Sequence, residues 1–139
     1  MSNTRWEHFE HKADIGIRGY GRSMASAFEQ AAIAMTAVIT EPSRIKPGTR
    51  VGISCRDSDN DTLFYDWLNA LIFEMATRKM LFSEFEVRIE NGKLDAVAMG
   101  EAIDTGFHQP SVEIKGATFT ELTVFEHDGQ WLAQCVIDV

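Results

Sequence analysis

Two dipeptides, Asn91-Gly92 and Asp128-Gly129, each stand between runs in which apolar residues recur at every second position. Asn or Asp followed by Gly suits a two-residue turn in the left-handed region, whose twist matches a β-hairpin. Before the first turn, Phe85, Val87 and Ile89 alternate with polar residues; after it comes the run 94–103. The second turn joins runs 118–126 and 131–139. The last part of the chain is thereby committed to antiparallel pairing. Upstream, Ala13, Ile15 and Ile17 alternate with Asp14, Gly16 and Arg18, and Val51, Ile53 and Cys55 repeat the pattern within 50–56.

Two stretches carry the helical period instead. Met24, Phe28, Ala31, Met35, Val38 and Ile39 recur at spacings of three and four. Ser23 is a candidate N-cap, Ser26-x-x-Glu29 reads as a capping box one turn later, and Pro42 ends the segment. Leu63, Phe64, Trp67, Leu68, Leu71, Ile72 and Met75 form the apolar face of a second helix. Asp59, Asn60 and Asp61 crowd its start and Arg78 and Lys79 its end, as the helix dipole favours. The order strand, helix, strand, helix, four strands predicts an α+β fold: two helices packed on a largely antiparallel sheet. With 139 residues and no repeat or linker, a single domain over 1–139 is expected.

Lys and Arg number 13 against 21 Asp and Glu, a formal charge of −8. A chain that gripped a phosphate backbone by itself would carry clustered base, so autonomous nucleic-acid binding is disfavoured. No apolar run reaches the ~18–20 residues that span a bilayer, and residues 1–7 lack the apolar stretch of a secretory signal. The cysteines, Cys55 and Cys135, form no C-x-x-C pair and are too few for a disulfide framework, so a reducing, cytoplasmic location is expected.

Several motifs fail on inspection. Asp57-Ser58-Asp59-Asn60-Asp61 opens like an EF-hand loop, but the sixth position is Thr62 in place of Gly and the twelfth is Leu68 in place of Glu. Gly19-Tyr20-Gly21 lacks the third glycine of a dinucleotide loop, and Arg22-Ser23 offers no Walker lysine; a plain strand-to-helix turn fits better. His8, His11, His108 and His127 form no H-E-x-x-H or H-x-H pair, and there is no G-x-S-x-G elbow. The sequence contains no complete apparatus for covalent catalysis.

Acid stands at unusual places. Asp14 interrupts an apolar strand, and Asp138 follows Val136 and Ile137 with the Val139 carboxylate one residue on. Either each acid is solvated at a sheet end, or a cation joins them. All-oxygen ligands of this kind suit Ca²⁺ or Mg²⁺ better than zinc.

The run His11-Lys12-Ala13-Asp14-Ile15-Gly16-Ile17 resembles the opening of the archease family, usually His-Thr-Ala-Asp and an apolar strand. Gly21-Arg22-Ser23 into Ala27-Phe28-Glu29-Gln30-Ala31-Ala32 is similar to its first helix, and Asp66-Trp67-Leu68-Asn69 to its second. Gly100-Glu101, the run 113–119, and Trp131-Leu132-Ala133 through Val136-Ile137-Asp138-Val139 continue the resemblance in order from about position 8 onward. Lys12 stands where Thr is common, Gly116 where Ala is, and Phe119-Thr120 where the family usually has Tyr-His.

The resemblance implies an accessory protein of an RtcB-type RNA ligase, which uses GTP to join tRNA halves. Such a protein promotes guanylylation of the ligase and its multiple turnover, and meets RNA only through that partner. It also implies a divalent cation, calcium with Mg²⁺ or Mn²⁺ as substitutes, at residues matching Asp14, Asp138 and Val139. His11, Lys115 and Thr118 become candidates for contact with partner or nucleotide, although Lys115 beside Glu113 equally reads as a solvated ion pair on an alternating strand. An acidic helper would be steered toward a basic, RNA-holding partner. Two other readings compete: a metal-dependent hydrolase using Asp14, Asp138 and His11, and an RNA chaperone, against which the charge of −8 counts.

Overall fold

The computed structural model describes residues 4–139. Two hairpin turns form where Asn-Gly and Asp-Gly demanded them, with positive φ at Asn91, Gly92, Asp128 and Gly129. The first joins β4 (Met80–Glu90) to β5 (Lys93–Ala102), the second β7 (Thr123–His127) to β8 (Gln130–Asp138), each pair antiparallel. Upstream lie β1 (Arg5–His11), β2 (Asp14–Gly21), α1 (Met24–Ile39), β3 (Thr49–Arg56) and α2 (Asn60–Arg78). A four-residue helix α3 (Thr105–His108) and a two-residue strand β6 (Gly116–Ala117) complete the order.

The α+β class is as expected, and the strands divide between two sheets. One has the order β1-β2-β8, with β6 and β7 both paired to the far edge of β8; the other has the order β3-β5-β4. Every pairing is antiparallel. Helix α1 packs against β2 and β8 of the first sheet and β4 of the second, and α2 packs against β3 and β6.

Both helix starts follow local chemistry. Ser23 Oγ accepts the Ser26 N–H at 3.0 Å, making Ser23 the cap; Asp59 accepts the Thr62 N–H at 2.9 Å. The acidic run 57–61 is thus a helix cap, with no calcium loop. Lys79 closes α2 in the left-handed conformation at φ 54°. Between the helices, the fully buried Trp67 donates its indole N–H to the Phe28 carbonyl at 3.1 Å, and Phe28 and Phe64 meet with ring centroids 5.0 Å apart.

The glycines of 19–21 serve packing. A Cβ on Gly19 would collide with the Ala27 carbonyl and the Ala31 amide, and one on Gly21 would sit 2.5 Å from Ser26 Oγ. Bare backbone there lets α1 lie directly on β2, so the Gly-x-Gly is a close helix–strand contact without a phosphate-loop role.

Two sequence expectations need correction. Strand β1 was not legible and the first alternating run begins at Asp14, because Lys12 (φ 54°) and Ala13 form the turn that joins β1 to β2. The expected strand 118–126 is broken: pairing with β8 runs Ala117↔Ile137 and resumes at Thr123↔Gln134, a slip of three residues. The Thr118 hydroxyl donates to the Val136 carbonyl and accepts the Thr120 N–H, folding the intervening chain into a turn.

One cross-strand group responds to acid. Glu7 accepts from Arg18, Arg5 and Tyr20, and the Arg18 hydrogen bond above all lowers its pKa to about 2. Folding lowers this pKa, so the bonds stabilise fully above the unfolded value near 4.5 and are lost as pH falls toward 2. After allowance for screening of a carboxylate one-third exposed, the contribution is about 1 kcal/mol. Glu7→Gln should shrink the stability difference between pH 7 and pH 3 by that amount in denaturant titrations; an unchanged difference would refute the assignment.

Candidate acidic site on the outer face of the first sheet

Antiparallel register fixes which side chains share a row. His11 pairs with Asp14, Ile15 with Ile137, and Gly116 with Asp138. One step beyond the Ile15–Ile137 pair sets Asp14 opposite Asp138. Residues directly opposite on neighbouring strands point to one face with Cβ atoms ~4.5–5.5 Å apart. Ile17, Cys135 and Ile137 face the core and are buried completely, so His11, Asp14 and Asp138 line the other face as a row across β1, β2 and β8. Val139 follows Asp138 immediately.

Both aspartates are exposed, and among the described residues neither side chain enters an ion pair or hydrogen bond. Like charges directly opposite one another repel. Beside them the half-buried His11 has its Nδ1 atom shut off from solvent and without a hydrogen-bond partner. Among the described residues, no three His, Cys, Asp or Glu side chains converge into an ion site. Two carboxylates are what the sheet supplies, and any cation would need main-chain, terminal or water oxygens to complete its shell. An all-oxygen set of this kind fits a hard divalent ion.

The other residues singled out from sequence fall into different places. Lys115 is exposed at the same end of the sheet, where its backbone N–H donates to the Asp138 carbonyl at 2.8 Å. It precedes β6, off any strand, and makes no ion pair with Glu113 among the described residues. The Thr118 hydroxyl is occupied in holding the turn, between Val136 and Thr120. In the Asp66-Trp67-Leu68-Asn69 segment, Trp67 is core, and Asn69 Oδ1 accepts the Ala117 N–H at 3.0 Å, pinning β6 to α2. Partial burial, aided by Asp57, raises the Asp66 carboxyl above the usual range.

The remaining histidines and the thiols are accounted for by structure. His108 is buried: its Nδ1 accepts the Asp104 N–H, and its Nε2 lies 2.9 Å from Glu101. His8 Nε2 lies 2.7 Å from the Ala34 carbonyl, and His127 is exposed beside Asp128. Burial pushes the Cys135 thiol up to about 12 and Cys55 to about 11, values that leave no thiolate nucleophile at neutral pH. Sequence reasoning missed the Asn69–Ala117 bond and a stacked pair beside it, Tyr65 and Phe119. The signal available was the spacing of Tyr65, Asn69 and Phe73, one helix face at intervals of four.

Similarity to known proteins spans nearly the whole chain. The sequence pattern of the archease protein family matches residues 6–139. Protein archease of Pyrococcus abyssi is 39% identical over 140 residues, covering 97% of this chain and 99% of that protein. Protein archease of Methanothermobacter thermautotrophicus is 34% identical, with 96% and 98% covered. The solution structure of a Methanobacterium thermoautotrophicum protein superposes with a TM-score of 0.85 at 33% identity, covering 96% of this chain and 98% of that one. A Thermotoga maritima crystal structure, described as an archease and possible chaperone, shares the fold with a TM-score of 0.60 at 18% identity, over 96% of both chains. Among the described residues, no helix is long and apolar enough to cross a membrane.

Proposed function

The chain belongs to the archease family, and on that premise we propose that it is an accessory protein of a GTP-dependent, tRNA-splicing RNA ligase. It promotes guanylylation of the ligase and repeated turnover, without turnover of its own. The observation that carries this reading is the acid row: Asp14 and Asp138 at opposed register positions, exposed and unpaired, at a sheet end where Val139 and Lys115 also lie.

Asp14, Asp138 and the carboxylate of Val139 would hold a divalent cation, calcium or a substitute such as Mg²⁺ or Mn²⁺. Such an ion supplies positive charge that orients carboxylate and phosphate oxygens. The protein's own residues do the rest. Asp14 and Asp138 present carboxylates on a rigid sheet, and His11 flanks them. The Lys115 ammonium stands exposed for a phosphate or an acidic group of the partner. The acidic surface favours encounter with a basic partner and disfavours free RNA. The hydrolase alternative lacks support from a side chain placed as general base: His11 has its Nδ1 buried and unpartnered, with no group orienting it among the described residues.

A ligation time course with the ligase of the same organism and RNA in excess tests the proposal. The ligase alone should join about one equivalent of RNA, and with this protein many. Equal yields in the two reactions would end the accessory-protein reading. Hydrolysis of a generic phosphate ester by the pure protein with Mn²⁺, lost on Asp14→Ala, would replace it with the hydrolase.

A further inference from the structure

Phe119 is 69% exposed, yet its position is fixed by an unusual amount of structure. Its ring lies on Tyr65 of α2, centroids 4.5 Å apart and planes within 15°. The turn that presents it is tied down on both sides. Thr118 Oγ1 donates to the Val136 carbonyl at 2.7 Å, Thr120 N–H to Thr118 Oγ1 at 3.1 Å, and Val136 N–H to the Thr120 carbonyl at 3.0 Å. Gln134 Nε2 donates to the carbonyl of Glu121, a residue held at φ 57°. A non-glycine residue in that region costs free energy, and the three-residue slip between β6 and β7 interrupts the sheet. None of this buries Phe119; it holds an aromatic face toward solvent.

The surroundings are acidic. Asp61 stands one turn before Tyr65 on α2, with Oδ1 accepting the Val124 N–H at 2.7 Å. Glu121 is exposed in the same turn, and the exposed Asp138 pairs with Gly116. Phe73, 64% exposed, extends the aromatic face two turns along α2 from Tyr65. An exposed ring with carboxylates on the same helix and the same turn matches one kind of group best: a guanidinium, which stacks on an aromatic plane while its N–H groups bond carboxylates. A nucleobase could stack on the same ring, but its phosphates would meet those carboxylates unfavourably. A second copy of this chain would bring like charge to like.

We infer that the Phe119–Tyr65 stack and the carboxylates on its helix and turn form a docking platform for an arginine-bearing basic face of a partner protein. This rests on the accessory-protein reading, in which that partner is the ligase. The platform adjoins the acid row through β6, so docking here would bring Asp14 and Asp138 to the same partner surface.

The full-length chain, Phe119→Ala and Phe119→Trp are titrated against the ligase, following binding and the half-maximal concentration for activation at low and high salt. Phe119→Ala should weaken both by about 30-fold, as loss of an aromatic anchor does, with an unchanged melting temperature. Phe119→Trp should restore them, and salt should weaken wild-type binding. Wild-type affinity in Phe119→Ala, with activation intact, would overturn the platform alone. Failure of the wild-type chain to bind or activate the ligase would remove the accessory reading and the platform together. A bare oligonucleotide bound through Phe119, or a dimer lost on Phe119→Ala in sedimentation, would assign the platform to a different occupant and overturn the proposal.

Discussion

Asp138→Asn should reverse its effect on stability according to whether a divalent ion is present. Without the ion, Asp14 and Asp138 oppose one another across β2 and β8, and removing one charge relieves a repulsion of about 0.2–1 kcal/mol. The variant should therefore melt slightly higher than the wild type in chelator. With millimolar Ca²⁺ the order should invert, because an ion bound only by the folded state stabilises it by mass action, about 2.7 kcal/mol at 100 times the dissociation constant. Calorimetric titration should show affinity for Ca²⁺ or Mn²⁺ falling on the order of 100-fold, about 2.7 kcal/mol, for Asp138→Asn and Asp14→Asn. Ligase activation should fall with it. Extending the chain beyond Val139 separates the ligands: it should weaken calcium binding if the terminal carboxylate participates, whereas an extension before Met1 should not. Calcium raising the melting temperature of Asp138→Asn as much as that of the wild type would dispose of the site.

Gly19→Val should prevent folding. The new side chain would enter the space held by the Ala27 carbonyl and the Ala31 amide, and these are helix backbone that no rotamer change can move. Accommodating it means lifting α1 from β2, a strand hydrogen-bonded on both sides and covered by the buried Ala27 and Ala31 of α1. Overpacking of this kind, with loss of the helix contact, is expected to cost more than about 4 kcal/mol, a large share of the ~5–15 kcal/mol that keeps a domain folded. Gly48→Ala is the control, since nothing lies within 4 Å of the added atom and the backbone is ordinary. It should leave the thermal transition unchanged. A folded Gly19→Val protein with near wild-type stability would mean that α1 does not seat on β2 as described.

What could be read from sequence follows the strength of local signals. The hairpins at Asn91-Gly92 and Asp128-Gly129 were legible because few residue pairs tolerate that backbone. The helices were legible because caps and apolar period agree. Strand β1 was not: Trp6, His8 and Glu10 alternate with Glu7, Phe9 and His11, so polar residues stand on both faces and no apolar alternation remains. The break at Phe119–Glu121 carries no glycine or proline; the left-handed Glu121 accepts a bond from Gln134, and the preceding Thr120 one from the Val136 N–H, both from a strand further along the chain. The acid row is of the same kind. Asp14 and Asp138 are separately conspicuous in sequence, but only the β2–β8 register puts them opposite each other, and no local pattern encodes that register.

The central place of β8 in the first sheet has a consequence for how the protein is made. Strand β8 supplies the partner for β2 on one edge and for β6 and β7 on the other. It also comes after all its pairing partners in chain order. The β1–β2 hairpin can close early, being local, but one edge of β2 then waits for Ile137 to reach Ile15 through nearly the whole length of the chain. Such long-range closure is slow relative to hairpin and helix formation. Throughout elongation an unpaired strand edge is on offer to neighbouring nascent chains, a route to misassembly. Synthesis rate and temperature should therefore govern the yield of soluble protein more strongly than its final stability does.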